Sequence, residues 1–252
     1  MGNTEFFDTN NYEFNKGCKR GVYLIHGFTN TTFELLDLAK FLRDNNFYVK
    51  LDNLPGHGTS VDDCNKTKYT EYIEHIEHGV AEVASNCDEV HVIGISMGGV
   101  LALHLATVFP LASVVEAATV FKFKSEFRVR VLVPLLKRLV PKLEKASQYK
   151  EKSIFFGYTH YPTYALNEMR KLTNYVRPNL HKIKCPIYLV HSIIDTTSVM
   201  KNFEIIKNSI SSSLKNELIL ENTNHCIFAN GPEQPFIFEN VLTFLNENSS
   251  IK

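Results

Sequence analysis

EVHVIGISMGGVLALHL, from Glu89 to Leu105, changes character at its middle. Glu89 to Ile95 is a short apolar run rich in β-branched residues and predicts a buried strand. The second half, with Leu101, Ala102, Leu103 and Leu105, is apolar and permits a helix. Between the halves, Gly94-Ile95-Ser96-Met97-Gly98 fits G-x-S-x-G, a strand-to-helix turn that lifts a serine oxygen above a sheet. A turn this tight strains the serine backbone and requires small neighbours, so the chain can reverse without a clash. The following helix directs its positive N-terminal end at negative charge formed there.

The chain around this turn has 252 residues, 44% hydrophobic and 21% charged, which suits one packed globular domain. With 27 basic and 27 acidic side chains the formal charge is zero, so no nucleic-acid partner is expected. The opening MGNTEFFDTNNYEFNKG lacks an apolar signal-peptide core, and Phe6 breaks the myristoylation pattern that Gly2 begins. No apolar run reaches the length of a membrane span. The five cysteines (Cys18, Cys64, Cys87, Cys185 and Cys226) are scattered and form no C-x-x-C pair. That usage favours a reducing cytoplasm over a disulfide framework, and no His/Cys/carboxylate cluster has metal-ligand spacing. No metal or cofactor is expected.

Strands are predicted at Gly21 to Gly27, Phe47 to Leu51, Glu89 to Ile95, Ala112 to Val120, Pro186 to His191 and Glu217 to Leu220. Helical patterns lie between them. Thr31-x-x-Glu34 reads as a capping box before Leu35 to Leu42. Tyr69 to Ser85 places Tyr72, Ile73, Ile76, Val80 and Val83 on one face. Thr197 or Ser198 is the expected cap of a helix reaching Ile210, and Pro232 suits the first turn of the last helix. His75 and His78 are expected to be solvated. This alternation predicts an α/β fold with a mostly parallel, doubly wound sheet. Residues 1–252 form a single domain in this reading, with residues 121–181 an inserted, mainly helical cap. Basic and apolar residues mix from Phe127 to Leu143. The segment suits packing on its own protein and leaves transient lipid contact through the cap open.

A serine needs a base, and the base needs an orienting acid. Asp195 follows the strand ending at His191, and His225 follows the strand ending at Leu220. Both fall beyond carboxyl ends of strands, where sites of doubly wound sheets form. The order Ser96, Asp195, His225 is that of an α/β-hydrolase triad. The oxyanion donors are expected from the N–H groups of Met97 and of Phe28, in the loop after the first strong strand. Candidate pocket residues are Gly27, His57, Phe121, Phe123, Phe155 and Cys226, with the side chains of Phe28 and Met97 as walls. His57 also has a structural reading in its Gly-rich loop, and His191 is expected to support the acid loop.

YLIHGFTN, LPGHG, GISMGG, the Asp after VHSII and NTNHCIF together resemble the small bacterial α/β-hydrolase carboxylesterases and monoacylglycerol lipases. The resemblance runs from Arg20 to about Leu245 and is weakest in the cap. It implies an eight-strand-type sheet trimmed at its N-terminal edge, a small helical cap, and hydrolysis of short- to medium-chain acyl esters. The chain departs from the pattern in lacking a glycine before Asp195 and in carrying Cys226 beside the base. A serine is kept by thioesterases, acyltransferases, carbon–carbon bond hydrolases and aminopeptidases of the same fold. Ser96 argues against aspartate-nucleophile dehalogenases and epoxide hydrolases, and the absence of Trp argues further against the former. A non-catalytic receptor for an apolar ligand is the reading from another class.

Overall fold

The computed structural model describes residues 7–145, 157–229 and 231–251. In chain order the strands are β1 (Tyr12–Phe14), β2 (Arg20–Ile25), β3 (Tyr48–Leu51), β4 (Glu89–Ile95), β5 (Ser113–Ala117), β6 (Lys142–Glu144), β7 (His160–Pro162), β8 (Ile187–Ser192) and β9 (Lys215–Leu220). The helices are α1 (Leu36–Asp44), α2 (Val61–Lys66), α3 (Tyr69–Ala84), α4 (Met97–Val108), α5 (Val133–Leu136), α6 (Thr163–Val176), α7 (Lys201–Ser209) and α8 (Gln234–Glu247).

The main sheet runs β1-β3-β2-β4-β5-β8-β9, parallel throughout except for β1, which pairs antiparallel with β3 at the edge. All seven residues of β4 are buried, because helices cover both faces of the sheet at its centre. One apolar layer joins Tyr23, Val92 and Val114 to α3, α4 and α6 through Ile76, Leu101 and Leu172. The other joins Leu24, Ile93 and Val115 to α1 and α8 through Leu38 and Val241. Burial of such layers contributes about 25 cal/mol per Å² of apolar surface. The turn bearing Ser96 is thus mounted on a wholly buried strand at the centre of the sheet.

The described part of the segment between β5 and β8 is mainly helical, with one exception, its β-ribbon. It holds a π-helical turn at Arg128–Leu132, the single turn α5, and an antiparallel ribbon of β6 with β7. Its helix α6 belongs to the body, since Met169, Leu172 and Val176 share the buried layer of α4. Phe155 and Phe156 lie outside the described residues.

Several local expectations are corrected. Thr31 does not cap a helix: a 3-10 turn, Thr32–Leu35, comes first, and the Glu34 carboxylate goes elsewhere. Helix α7 starts at Lys201, because the N–H groups of Thr197 and Ser198 are held by Asp195. Pro235, not Pro232, sits in the first turn of α8. The strand after α4 covers only Ser113–Ala117, ending where Ala118 takes a φ of 45°. His75 is half-buried with Nε2 fully enclosed, while His78 is exposed. Helix α2 carries no apolar periodicity; the Ser60 hydroxyl nucleates it by accepting the N–H of Asp63 at 3.1 Å.

Candidate active site

Strand β4 enters the turn between β2 and β5, its two neighbours in the sheet. Ser96 has φ 57° and ψ −114°, a conformation that costs a non-glycine residue about 1–3 kcal/mol. Close packing enforces it. A Cβ on Gly94 would stand 2.1 Å from the Gly98 carbonyl oxygen, and one on Gly98 would stand 2.1 Å from that of Ile25. The Ser96 N–H donates to Ala117 O at 2.8 Å, fastening the turn to the end of β5. Ser96 is only 6% exposed, and helix α4 begins at the next residue.

The loops after β8 and β9 converge on this serine. Asp195 Oδ1 accepts the N–H groups of Thr197 at 2.7 Å and Ser198 at 3.0 Å. Asp195 Oδ2 accepts the Nδ1–H of His225 at 2.7 Å, and His225 Nε2 lies 3.0 Å from Ser96 Oγ. A carboxylate only accepts, so Nδ1 carries the proton and Nε2 is free to take one from the serine hydroxyl. Burial opposes protonation of His225, but the charge and hydrogen bond of Asp195 outweigh it and raise its pKa. Burial pushes the Asp195 carboxyl upward; the His225 charge and hydrogen bond and the two backbone N–H groups override this and hold it low.

A second layer holds the acid. Ser198 Oγ donates to Thr119 O at 2.7 Å and accepts from His191 Nε2 at 3.0 Å. His191 therefore supports the acid loop through Ser198. Burial drives its pKa down to about 4 and keeps it neutral.

The loop after β2 faces the serine from the other side. His26 Nε2 accepts Leu54 N–H at 3.0 Å, and its Nδ1–H donates to the Gly27 carbonyl at 2.9 Å. His57 Nε2 accepts Thr29 N–H at 3.2 Å, where Thr29 has a φ of 66°. Burial lowers both imidazoles, to about 3 for His26 and about 4 for His57, so both brace the loop as neutral rings. Among the described residues, the N–H groups of Phe28 and Met97 meet no acceptor. Met97 opens helix α4, where a backbone N–H has no partner within the helix.

A family model described as "Serine aminopeptidase, S33" matches residues 17–232. The chain belongs to the S33 family. Over 233 residues it is 28% identical to a thermostable monoacylglycerol lipase of Bacillus sp. (strain H-257), covering 91% of each chain. It is 24% identical to a carboxylesterase of Bacillus subtilis (strain 168), covering 92% of this chain and 94% of the relative. Among solved structures, one from work on the metagenome-derived lipolytic enzymes LipS and LipT is similar with a TM-score of 0.86. The identity is 23%, and 95% of this chain and 98% of that one are covered. The monoacylglycerol lipase of Paleococcus ferrophilus is similar with a TM-score of 0.79 at 17% identity, covering 95% and 99%. The protein is a serine hydrolase with the α/β-hydrolase fold.

Within this S33 framework, Phe121 and Phe123 are buried at the start of the segment between β5 and β8. Phe28 is half-buried and packs against two apolar clusters, while Met97 is wholly buried. Gly27 separates Ser96 from Glu34: a Cβ there would lie 3.3 Å from Ser96 Cβ and 3.2 Å from Glu34 Oε2. Cys226 is half-buried beside His225, and burial pushes its thiol pKa up. Among the described residues no group of three His, Cys, Asp or Glu side chains is placed to hold a metal ion. Two charged neighbours escaped sequence reasoning. Glu34 accepts the N–H of Gly27, and Lys145 Nζ donates to Thr29 Oγ1 at 2.7 Å. Glu34 resembled a helix cap, and Lys145 had no spacing signal at all.

Proposed function

We propose that the protein hydrolyses carboxylic esters of short- to medium-chain acids, monoacylglycerols among them, through an acyl-enzyme on Ser96. The observation that carries this reading is the continuous chain of hydrogen bonds from Ser96 Oγ through His225 to Asp195 at a strained strand-to-helix turn. Ser96 Oγ attacks the ester carbonyl while His225 Nε2 takes its proton. Asp195 holds the ring in the required tautomer and stabilises the imidazolium. The N–H groups of Phe28 and Met97 receive the oxyanion. His225 returns the proton to the leaving alcohol, and water then releases the acid by the same route.

Lipase and carboxylesterase names on the two full-length relatives support an ester over the other acyl derivatives that this serine chemistry could serve. Phe28, Phe121 and Phe123 supply the apolar wall for the acyl chain, and Gly27, His57 and Cys226 border the reacting atoms. Residues 121–181 act as a cap on a single domain. No helix among the described residues is long and apolar enough to cross a membrane. Phe127, Leu135 and Leu139 are exposed on the cap among Arg128, Lys137 and Arg138, a composition that supports transient contact with a lipid surface. The scattered cysteines support a cytoplasmic setting.

A fluorophosphonate probe tests the reading. It should label the protein at Ser96 alone, and pretreatment should abolish hydrolysis across a panel of acetate to laurate esters with monoacylglycerol alongside. Labelling without loss of ester turnover, or no labelling, contradicts the assignment.

A further inference from the structure

Glu34 is a carboxylate only 1% exposed, carried under the His26–Asn30 loop by the 3-10 turn Thr32–Leu35. A buried charge persists only where hydrogen bonds or opposite charge compensate for lost water. Both Glu34 oxygens accept: Oε2 from Gly27 N–H at 2.7 Å and Oε1 from Asn30 Nδ2 at 2.5 Å. That is the pattern of an ionised carboxylate. The Asn30 N–H in turn donates to the Gly27 carbonyl at 3.2 Å, closing a ring of contacts around one residue.

The peptide group joining Gly27 to Phe28 is planar and trans, so its N–H points opposite to its carbonyl. Asn30 and His26 hold that carbonyl on one side. The Phe28 N–H therefore faces away from them. Glu34 anchors the preceding peptide at Gly27 N–H, which fixes the other end of the same residue. Gly27 fills the gap between the carboxylate and Ser96 closely: a Cβ would meet them at 3.2 and 3.3 Å, so one of the two would have to yield by a few tenths of an ångström.

We propose that Glu34 is a positioning residue of the reaction: its carboxylate aims the Gly27–Phe28 peptide as oxyanion donor and keeps a negative charge beside His225. Four charged or titratable groups act on the His225 ring. Asp195 and Glu34 favour its protonated form, Lys145 opposes it, and neutral His191 lies behind Asp195. Burial leaves the Glu34 carboxyl pKa raised above its ordinary value, with the Gly27 N–H, His225, Asn30 and Lys145 offsetting part of that rise. The role rests on the serine-esterase reading above.

Kinetics of Glu34→Ala and Glu34→Gln, run beside Ser96→Ala, separate the two claims. Glu34→Ala frees the loop, so kcat should fall about 10–100-fold with KM within about twofold, as for a contact used mainly in the transition state. Glu34→Gln can still accept the Gly27 N–H, and the Asn30 amide can turn to meet its NH2 group. It should recover most of the lost kcat while moving the acidic limb of kcat/KM to lower pH, because the charge beside His225 is gone. Unchanged kcat in Glu34→Ala, a loss confined to KM, or an unmoved acidic limb in Glu34→Gln overturns the proposal. If Glu34→Ala does not fold, the limb in Glu34→Gln decides alone. Retained turnover in Ser96→Ala would instead sink the underlying reading of the site.

Discussion

Asp195 Oδ2 and His225 Nδ1 lie 2.7 Å apart, joining the loops after β8 and β9 above the serine. In the proposed mechanism this contact sets the acidic limit of activity. Protonated His225 cannot accept the Ser96 proton, and the partner carboxylate raises its pKa above the ordinary 6.5 despite burial. The acidic limb of kcat/KM should therefore have its midpoint above 6.5. A midpoint at or below the ordinary histidine value contradicts the pairing.

Asp195→Asn keeps the shape but removes the charge and frees the tautomer. It should lower kcat by about 10³–10⁴-fold, as loss of the orienting acid does in serine triads. Its remaining activity should titrate at lower pH than wild type. A pH–rate profile of the variant checks both.

Gly98 leaves no room for a side chain, because a Cβ would sit 2.1 Å from the Ile25 carbonyl oxygen, a backbone atom that cannot rotate away. Gly98→Ala should cost about 3 kcal/mol, the upper part of the usual range for overpacking. Thermal unfolding should shift down by roughly 6–12 °C for a domain of this size. An unchanged melting temperature would show that the turn is looser than described.

Glu116, on β5, is wholly buried, and neither carboxylate oxygen has a hydrogen-bond partner among the described residues. Burial raises its pKa from 4.5 to about 8, so the folded protein holds a proton there that the unfolded chain releases. Folded-state stability therefore falls as pH rises through the window from 4.5 to about 8. Glu116→Gln should raise the melting temperature more at about pH 9 than at about pH 5. An equal change at both values would contradict a neutral Glu116.

Leu135 and Leu139 are 69% and 79% exposed in the segment between β5 and β8, the proposed cap. Replacing both with Glu should weaken sedimentation with anionic vesicles while leaving turnover of a soluble butyrate ester within about twofold. Undiminished vesicle binding would remove the cap as the lipid-contacting surface.

The sheet and the trio of Ser96, Asp195 and His225 were legible because both rest on strong local signals. Apolar runs with β-branched residues mark strands, and each of the three residues follows one of them. Glu34 was not legible: Thr-x-x-Glu fits a capping box, and only the packed loop shows that the carboxylate belongs to Gly27. Thr197 and Ser198 misled in the same way, since both N-cap geometry and binding of Asp195 use short polar residues. The β6–β7 ribbon is three residues a side and too short for periodicity to register. Glu116 lay inside an apolar run, where nothing local tells a buried proton from a surface charge.

Hydrolysis of p-nitrophenyl butyrate by Ser96→Ala, with the melting temperature recorded in parallel, bears most directly on the nucleophile. The hydroxyl of Ser96 is the group to which His225 Nε2 is directed at 3.0 Å. Its removal should abolish turnover while the protein keeps its fold. Turnover persisting at a sizeable fraction of wild type would contradict the account.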